Sequence, residues 1–429
     1  MSILIKNAAI LTQDAQRHHL NGSLYIDDDT ITEMSEQPIT TEADYKINGT
    51  KKLVLPGLIN LHTHLPMTLL RGYGDDMLLH EWLEQRIWPV EAKLTPEAIA
   101  NGSLLGILEM IASGTTTFLD MYFFEETIAE ITKKAGLRGF LGFGVVDFDT
   151  AQYHKDNLIP ACEHFIKTWS LDPLIHPVVA PHGAYTCCPE TLSKCLDIAM
   201  KYDVLLHSHC SETRDEVYDM EQRYGKRPIE QFHSLGLLNH RMILAHCGWI
   251  TKTEIATMKE TEVAVAHCPV SNYKIGTGGY APIPEMLQAG LRIGLGTDGA
   301  ASNNILDMFD TMKFAALGQK QHRWDPRILP AQTILDFATI SGAASLSMAN
   351  QIGSLEVDKQ ADIILIDLNK PHLTPVFDPV SHLAYAVRGG DVCTTIVNGN
   401  PLMLDHKFTQ LNAEDIMNKA TASALKLTN

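Results

Sequence analysis

The sequence predicts an α/β protein built on a (β/α)8 barrel of the TIM type, with a small β domain beside it. Two observations predict this. Eight short apolar runs recur through the middle of the chain, most of them followed by a longer stretch of helical periodicity. Both ends instead carry strand-like runs punctuated by Asn-Gly pairs. A chain of 429 residues has room for a barrel of about 250 residues and one smaller unit.

The barrel strands are expected at residues 53–58, 115–121, 138–146, 175–180, 204–207, 242–245, 262–266 and 292–295. Most are apolar at successive positions, as strands covered on both faces should be. Helical spacing fills the intervals, for example at 99–112 and 191–200. At the ends, Asn21-Gly22, Asn48-Gly49 and Asn398-Gly399 favour tight hairpins. Residues 1–52 and 353–429 are therefore expected to fold together as one small, sandwich-like β domain. The barrel takes 53–352 and carries the chemistry.

Composition narrows the partners. A hydrophobic share of 45% with 20% charged residues argues for a packed chain and against disorder. Acidic residues outnumber basic ones, 51 to 34, so a polyanion such as nucleic acid is not expected as a partner. Eight scattered cysteines are too few for a disulfide framework and read as reduced thiols in the cytoplasm. The N-terminus reads as a strand rather than a secretory leader, and no apolar run is long enough to span a bilayer. A small-molecule partner is expected, and self-association is left open.

The chemistry-bearing residues lie at strand ends. His62 and His64 follow the first apolar run, and residues i and i+2 of a strand share a face, so both imidazoles can reach one ion. His207 and His209 repeat the spacing after 204–206, His246 closes 242–245, and Asp298 follows 291–297. The carboxyl ends of barrel strands are where such barrels build active sites, and imidazoles with a carboxylate suit Zn²⁺ or a similar ion. Competing motifs fail. Gly294, Gly296 and Gly299 match G-x-G-x-x-G, but no acidic residue closes a following strand. H-E-x-x-H and the H-x-E with P-C-x-x-C pair are both missing.

The stretches PGLINLHTHLPMTLLRGYGDD, HSHCSETRDEV, ILAHCGWI, HCPVSNYKIGTGGYAPI and GLGTDGAASNN resemble the amidohydrolase superfamily, in its mononuclear, purine-deaminating branch. Within that branch the chain is similar to deaminases of 5′-methylthioadenosine and S-adenosylhomocysteine. The resemblance implies that His62, His64, His209 and Asp298 ligate one zinc or other divalent ion. The fourth strand lacks the lysine with which binuclear relatives bridge two metals. It also implies Glu212 as proton shuttle, His246 as the group that orients the attacking water, and Asp298 as the acceptor of that water's proton. Substrate contacts carried over in the same way are Glu91, after Trp88-Pro89-Val90, for the ribose hydroxyls, with His182, Glu212 and Ser302.

The implied reaction is hydrolytic deamination at C6 of an adenine nucleoside, giving the inosine analogue and ammonia. The alternatives are a related hydrolase of guanine, 8-oxoguanine or a chlorotriazine, and, more remotely, a metal-binding protein without catalysis. One departure concerns the substrate's 5′ side. Some relatives place an arginine near the third strand, where this chain aligns Phe143; Arg71 is the expected substitute. Asp358 stands where similar chains often have glycine, and an Asp tolerates the left-handed turn expected there.

Overall fold

The computed structural model describes residues 1–428. Five strands precede the barrel: β1 (Ser2–Leu11), β2 (His19–Asp27), β3 (Thr30–Ser35), β4 (Tyr45–Asn48) and β5 (Lys52–Pro56). The barrel strands are β6 (Leu58–Thr63), β7 (Thr115–Tyr122), β8 (Arg138–Val145), β9 (Ile175–Pro181), β10 (Leu205–Cys210), β11 (Met242–His246), β12 (Ala264–His267) and β13 (Arg292–Leu295). Last come β14 (Ile363–Asp367), β15 (Val392–Val397), β16 (Asn400–Leu404) and β17 (Lys407–Phe408).

Strands β6 to β13 pair in sequence order, each parallel to the next. Parallel neighbours require a crossover, and most of the intervening segments supply helices that cover the outer face. Ile59, Leu61, Leu119, Phe140, Val178, Ile243, Ala264 and Ala266 pack together from six different strands and fill the lumen. The alternate residues, such as Phe118, Leu141, Val179, Leu244, Val265 and Ile293, face the helices.

The seam between β13 and β6 is closed near the mouth by side chain as well as backbone. Asp298 N–H donates to the His62 carbonyl at 2.9 Å. The Asn60 amide donates to Thr297 Oγ1 at 2.7 Å and accepts from Thr297 N–H at 3.0 Å. A Cβ at Gly296 would lie 2.8 Å from the Cβ of His62, so the glycines that mimic a dinucleotide motif serve close approach of these two strands.

The flanking sheet runs β17-β16-β15-β14-β5-β1-β2-β3, with β4 beside β1, and so draws on both chain ends. Its own apolar face joins Ile3, Ile5, Leu24, Ile26 and Ile31 to Val54, Ile363 and Leu365. A buried ion pair ties it to the barrel floor. The Arg138 guanidinium meets both oxygens of Asp362 at 3.1 Å, and Asp362 also accepts the Asn398 N–H at 2.8 Å.

Four local expectations change, one of them at Asn48-Gly49, which makes no hairpin because β4 and β5 both run parallel to β1. The run expected as the first barrel strand, 53–58, is divided: residues to Pro56 belong to the flanking sheet and only Leu58 onward enters the barrel. Asn21-Gly22 is no hairpin but lies inside β2, next to the register slip at Ile5/Ala8. Strand β10 continues beyond His207, because Ser208, His209 and Cys210 keep pairing with β11 up to the mouth. Asn398-Gly399 does form the tight turn between β15 and β16, both residues with positive φ. Asp358 has φ +72°, the left-handed turn its sequence context predicts. Among the described residues no helix is long and apolar enough to cross a membrane.

Candidate active site

A bulge aims the first two histidines. Between Asn60/Phe118 and Thr63/Asp120 the β6 ladder takes one residue more than β7, so the inward alternation of Ile59 and Leu61 switches to His62 and His64. Ser211, His246 and Asp298 have φ of +49°, +71° and +62°, sharp turns that bend the chain at the strand ends.

The protonation pattern of the imidazoles is set by their neighbours. His64 Nδ1 donates to the Met121 carbonyl at 2.6 Å and His209 Nδ1 to the His182 carbonyl at 2.8 Å. His62 Nδ1 lies 2.8 Å from His207 Nε2, and His207 Nδ1 lies 3.0 Å from the Ile243 carbonyl. A carbonyl only accepts, so Nδ1 of His207 carries its proton and Nε2 accepts from His62. In each of His62, His64 and His209, Nε2 is thereby the nitrogen turned to the site, free of a proton whenever the ring is neutral. These three imidazoles offer ligand atoms within 4.8 Å of one another, and His62, His246 and Asp298 do the same. His62 Nε2 is buried without a hydrogen-bond partner, which is the arrangement a metal ligand requires.

Asp298 supplies the charge. Its Oδ1 lies 3.5 Å from His62 Nε2 and 3.2 Å from His64 Nε2, while Oδ2 accepts from Ser271 at 2.5 Å and Ser302 at 2.9 Å. Burial opposes its ionisation, yet its hydrogen bonds and the adjacent imidazoles hold the carboxyl well below the usual range. Burial likewise opposes charge on His64, and the field of Asp298 overrides it, pushing that imidazole up to about 9. A positive charge is favoured at this point, and the nitrogen and oxygen donors fit a divalent ion.

Beside the ligands, Glu212 Oε2 sits 3.8 Å from His246 Nε2, and His246 Nδ1 pairs with Asn272 Oδ1 at 2.9 Å. The turn carrying Glu212 is pinned by Glu216, whose two oxygens accept the backbone N–H groups of Ser211 at 2.9 Å and Glu212 at 2.7 Å. Burial pushes the Glu216 carboxyl up to about 7 against these donors. His182 pairs with Thr186 Oγ1 at 3.0 Å and is held down to about 3 by burial and neighbouring imidazoles, so it is a neutral hydrogen-bonding group.

His64, His209, His246, Asp298, Glu212, His182 and Ser302 line one cavity, about 930 Å³ with its open mouth included. Glu91 lines it too; it accepts the Tyr122 hydroxyl at 2.7 Å, and its carboxyl is raised by burial. Trp82, Leu83, Ile87 and Trp88, expected mainly as helix packing, line the same cavity.

The structure thus brings together every residue the sequence singles out: His62, His64, His209, His246, Asp298, Glu212, Glu91, His182 and Ser302. Two expectations fail. Phe143 packs outward against Tyr153 and Phe165, and Arg71 pairs with Glu109 and the Asn304 carbonyl outside the cavity. Sequence reasoning missed the supports Ser271, Asn272, Tyr122 and Glu216. Only Glu216 had a visible signal, one helical turn beyond Glu212. Cys210, Cys247 and Cys268 are buried free thiols, and neither ring nitrogen of buried His267 has a partner.

Residues 53–402 match the amidohydrolase family. Over 418 residues the chain is 41% identical to the 5-methylthioadenosine/S-adenosylhomocysteine deaminase of Caldanaerobacter subterraneus subsp. tengcongensis, covering 97% of this chain and 96% of that protein. A 5'-deoxyadenosine deaminase of Methanosarcina acetivorans is 41% identical over 428 residues, 99% and 98% of the two chains. Among solved structures, an adenosine deaminase from Xanthomonas campestris with bound zinc superposes with a TM-score of 0.96 at 33% identity, covering 99% of this chain and 98% of that one.

Proposed function

The chain belongs to the amidohydrolase family, and we propose that it is a zinc-dependent aminohydrolase that replaces the C6 amino group of free adenine nucleosides, among them 5′-methylthioadenosine, S-adenosylhomocysteine and adenosine. The observation that carries this reading is the cavity itself: converging imidazole nitrogens and Asp298, Glu212 beside them, and Glu91 in the same lining.

His62, His64, His209 and Asp298 would hold the ion; the two converging donor sets, His62–His64–His209 and His62–His246–Asp298, share His62. When bound, such an ion acidifies water from a pKa of 15.7 to about 7. The chain's own groups do the rest. Asp298 accepts a proton from the water that attacks C6, its other oxygen being fixed by Ser271 and Ser302. His246, oriented through Asn272, aligns that water. Glu212 delivers a proton to N1 as the C6 centre becomes tetrahedral; the amino group then takes the proton held on Asp298 and leaves as ammonia, while the C6 hydroxyl gives its proton to Glu212 and becomes the carbonyl. Glu91, held by Tyr122, accepts from the ribose hydroxyls, and His182 and Ser302 complete the contacts. Eight free thiols suit a reducing compartment, which supports the cytoplasm as the site of action.

The test is the ultraviolet change of adenine nucleosides with zinc-loaded protein, beside Glu212→Gln. Conversion to the inosine analogue, reduced about a hundredfold or more in the variant with zinc content unchanged, is expected. If no adenine nucleoside reacts, while another heterocycle releases ammonia or chloride, the substrate assignment is wrong.

A further inference from the structure

The wall beyond Glu91 carries information about the far end of the substrate. Glu91, Trp88, Phe123 and Phe148 line both the main cavity and a second groove of about 720 Å³ that continues outward past Ala92, Thr150 and Ala151. With C6 by Glu212 and the ribose by Glu91, a nucleoside has this groove beside its 5′ carbon; the other recess adjoining the cavity is lined by Trp82, Ile275 and Lys274.

Charge along that path is one-sided. Among the described residues, no lysine or arginine lines either the cavity or the groove. The charged side chains of the groove are Glu91 and Asp149, both acidic. Asp149 has His154 Nε2 3.5 Å from its Oδ1, and the nearest lysine and arginine are engaged elsewhere. Lys274 sits in an adjoining recess with its ammonium on Asp75 at 2.6 Å and on Asn304. Arg71 is paired with Glu109. The rim is aromatic and open to solvent, Trp88 at 42% and Phe148 at 45% exposure, although burying them would be favourable. They supply an apolar surface for a flexible chain to lie on.

We infer that this groove is a 5′ subsite selective for uncharged, apolar substituents, a 5′-deoxy methyl or a thioether, and that it discriminates against a 5′ chain ending in a carboxylate. The inference rests on the deaminase reading above. A carboxylate laid against Trp88 and Phe148 loses water without gaining a cation and meets the field of Glu91 and Asp149. The ammonium of an amino-acid tail has Asp149 to approach, but the carboxylate beside it still has nothing.

The experiment compares kcat/KM for 5′-deoxyadenosine, 5′-methylthioadenosine, 5′-butylthioadenosine and S-adenosylhomocysteine on the zinc-loaded enzyme. The butylthio compound matches the amino-acid tail roughly in length and lacks its charges, so it separates size from charge without any mutation. The three uncharged substrates are expected within about tenfold of one another, and S-adenosylhomocysteine about a hundredfold or more below them. S-adenosylhomocysteine within about tenfold of the thioethers overturns the inference. A butylthio compound as poor as S-adenosylhomocysteine also overturns it, since length would then set the limit. Phe148→Arg adds a cation at the rim; in a variant that still turns over 5′-methylthioadenosine, a gain of about tenfold on S-adenosylhomocysteine is expected, and no gain counts against the subsite. Failure of every adenine nucleoside to react would instead remove the deaminase reading.

Discussion

His207 Nε2 lies 2.8 Å from His62 Nδ1, and the proton between them belongs to His62 because His207 spends its own on the Ile243 carbonyl. An H-x-H pair that looks like two ligands is therefore divided: His209 lines the cavity, and His207 fixes the ring of His62, a candidate ligand on another strand. Replacing His207 by Leu should weaken zinc binding about 10–100-fold. Competition with a chelator measures it, and activity should return when zinc is in excess. Unchanged affinity would show that His62 needs no such support.

Glu216 makes a different prediction, on both rate and pH. Glu216→Gln replaces one acceptor oxygen by an amide that cannot accept, leaving a backbone N–H of the Glu212 turn unpaired. A kcat loss of about ten- to a hundredfold with little change in KM is expected. Because burial raises this carboxyl to about 7, the folded chain keeps a proton that the unfolded chain gives up near 4.5. The resulting stabilisation is complete below about 4.5 and is lost as pH rises through about 7. The melting-temperature difference between wild type and variant should therefore shrink over that window. A difference independent of pH would contradict it.

In the same cavity, Glu91→Gln should lower kcat/KM about ten- to a hundredfold, mainly through KM. Substrates lacking the 2′ or 3′ hydroxyl should be poor for the wild type and lose little more in the variant. Additive losses would mean that Glu91 does not touch the ribose.

The ion pair under the barrel concerns stability alone. Asp362→Ala strands the Arg138 guanidinium, which is fully buried on β8, and should cost about 3–5 kcal/mol, read as a lowered urea midpoint. Arg138→Met with Asp362→Leu should recover much of that loss, since neither partner then remains alone.

The sequence made some of this legible and not the rest, for physical reasons. Strands β7, β8, β9, β11 and β13 are close to the expected runs because both their faces are covered and the apolar pattern is uninterrupted. The same continuity hid the break at Gly57, as a residue buried in one sheet looks like a residue buried in another. The candidate ligands could be proposed from strand-end placement, whereas the residues that support them could not. Which imidazole nitrogen meets the carbonyl of Met121, His182 or Ile243 depends on how strands distant in sequence are registered. The side-chain direction of Phe143 depends in the same way on the pleat of β8.

Gly57 alone separates the last residue of β5 from the first of β6, and its N–H donates to the Asp362 carbonyl at 2.9 Å. The Thr116 side chain would lie 2.1 Å from any Cβ there, so the joint admits no larger residue without rearrangement. The strand that ends in His62 therefore starts from a sheet built by β1 and β14. Trimming the chain to its barrel for crystallisation or grafting would strip β5 of both neighbours and expose an unpaired edge one residue from a ligand-bearing strand. Engineering of this scaffold has to keep both termini, however far they lie from the pocket, and is better directed at the loops around its mouth.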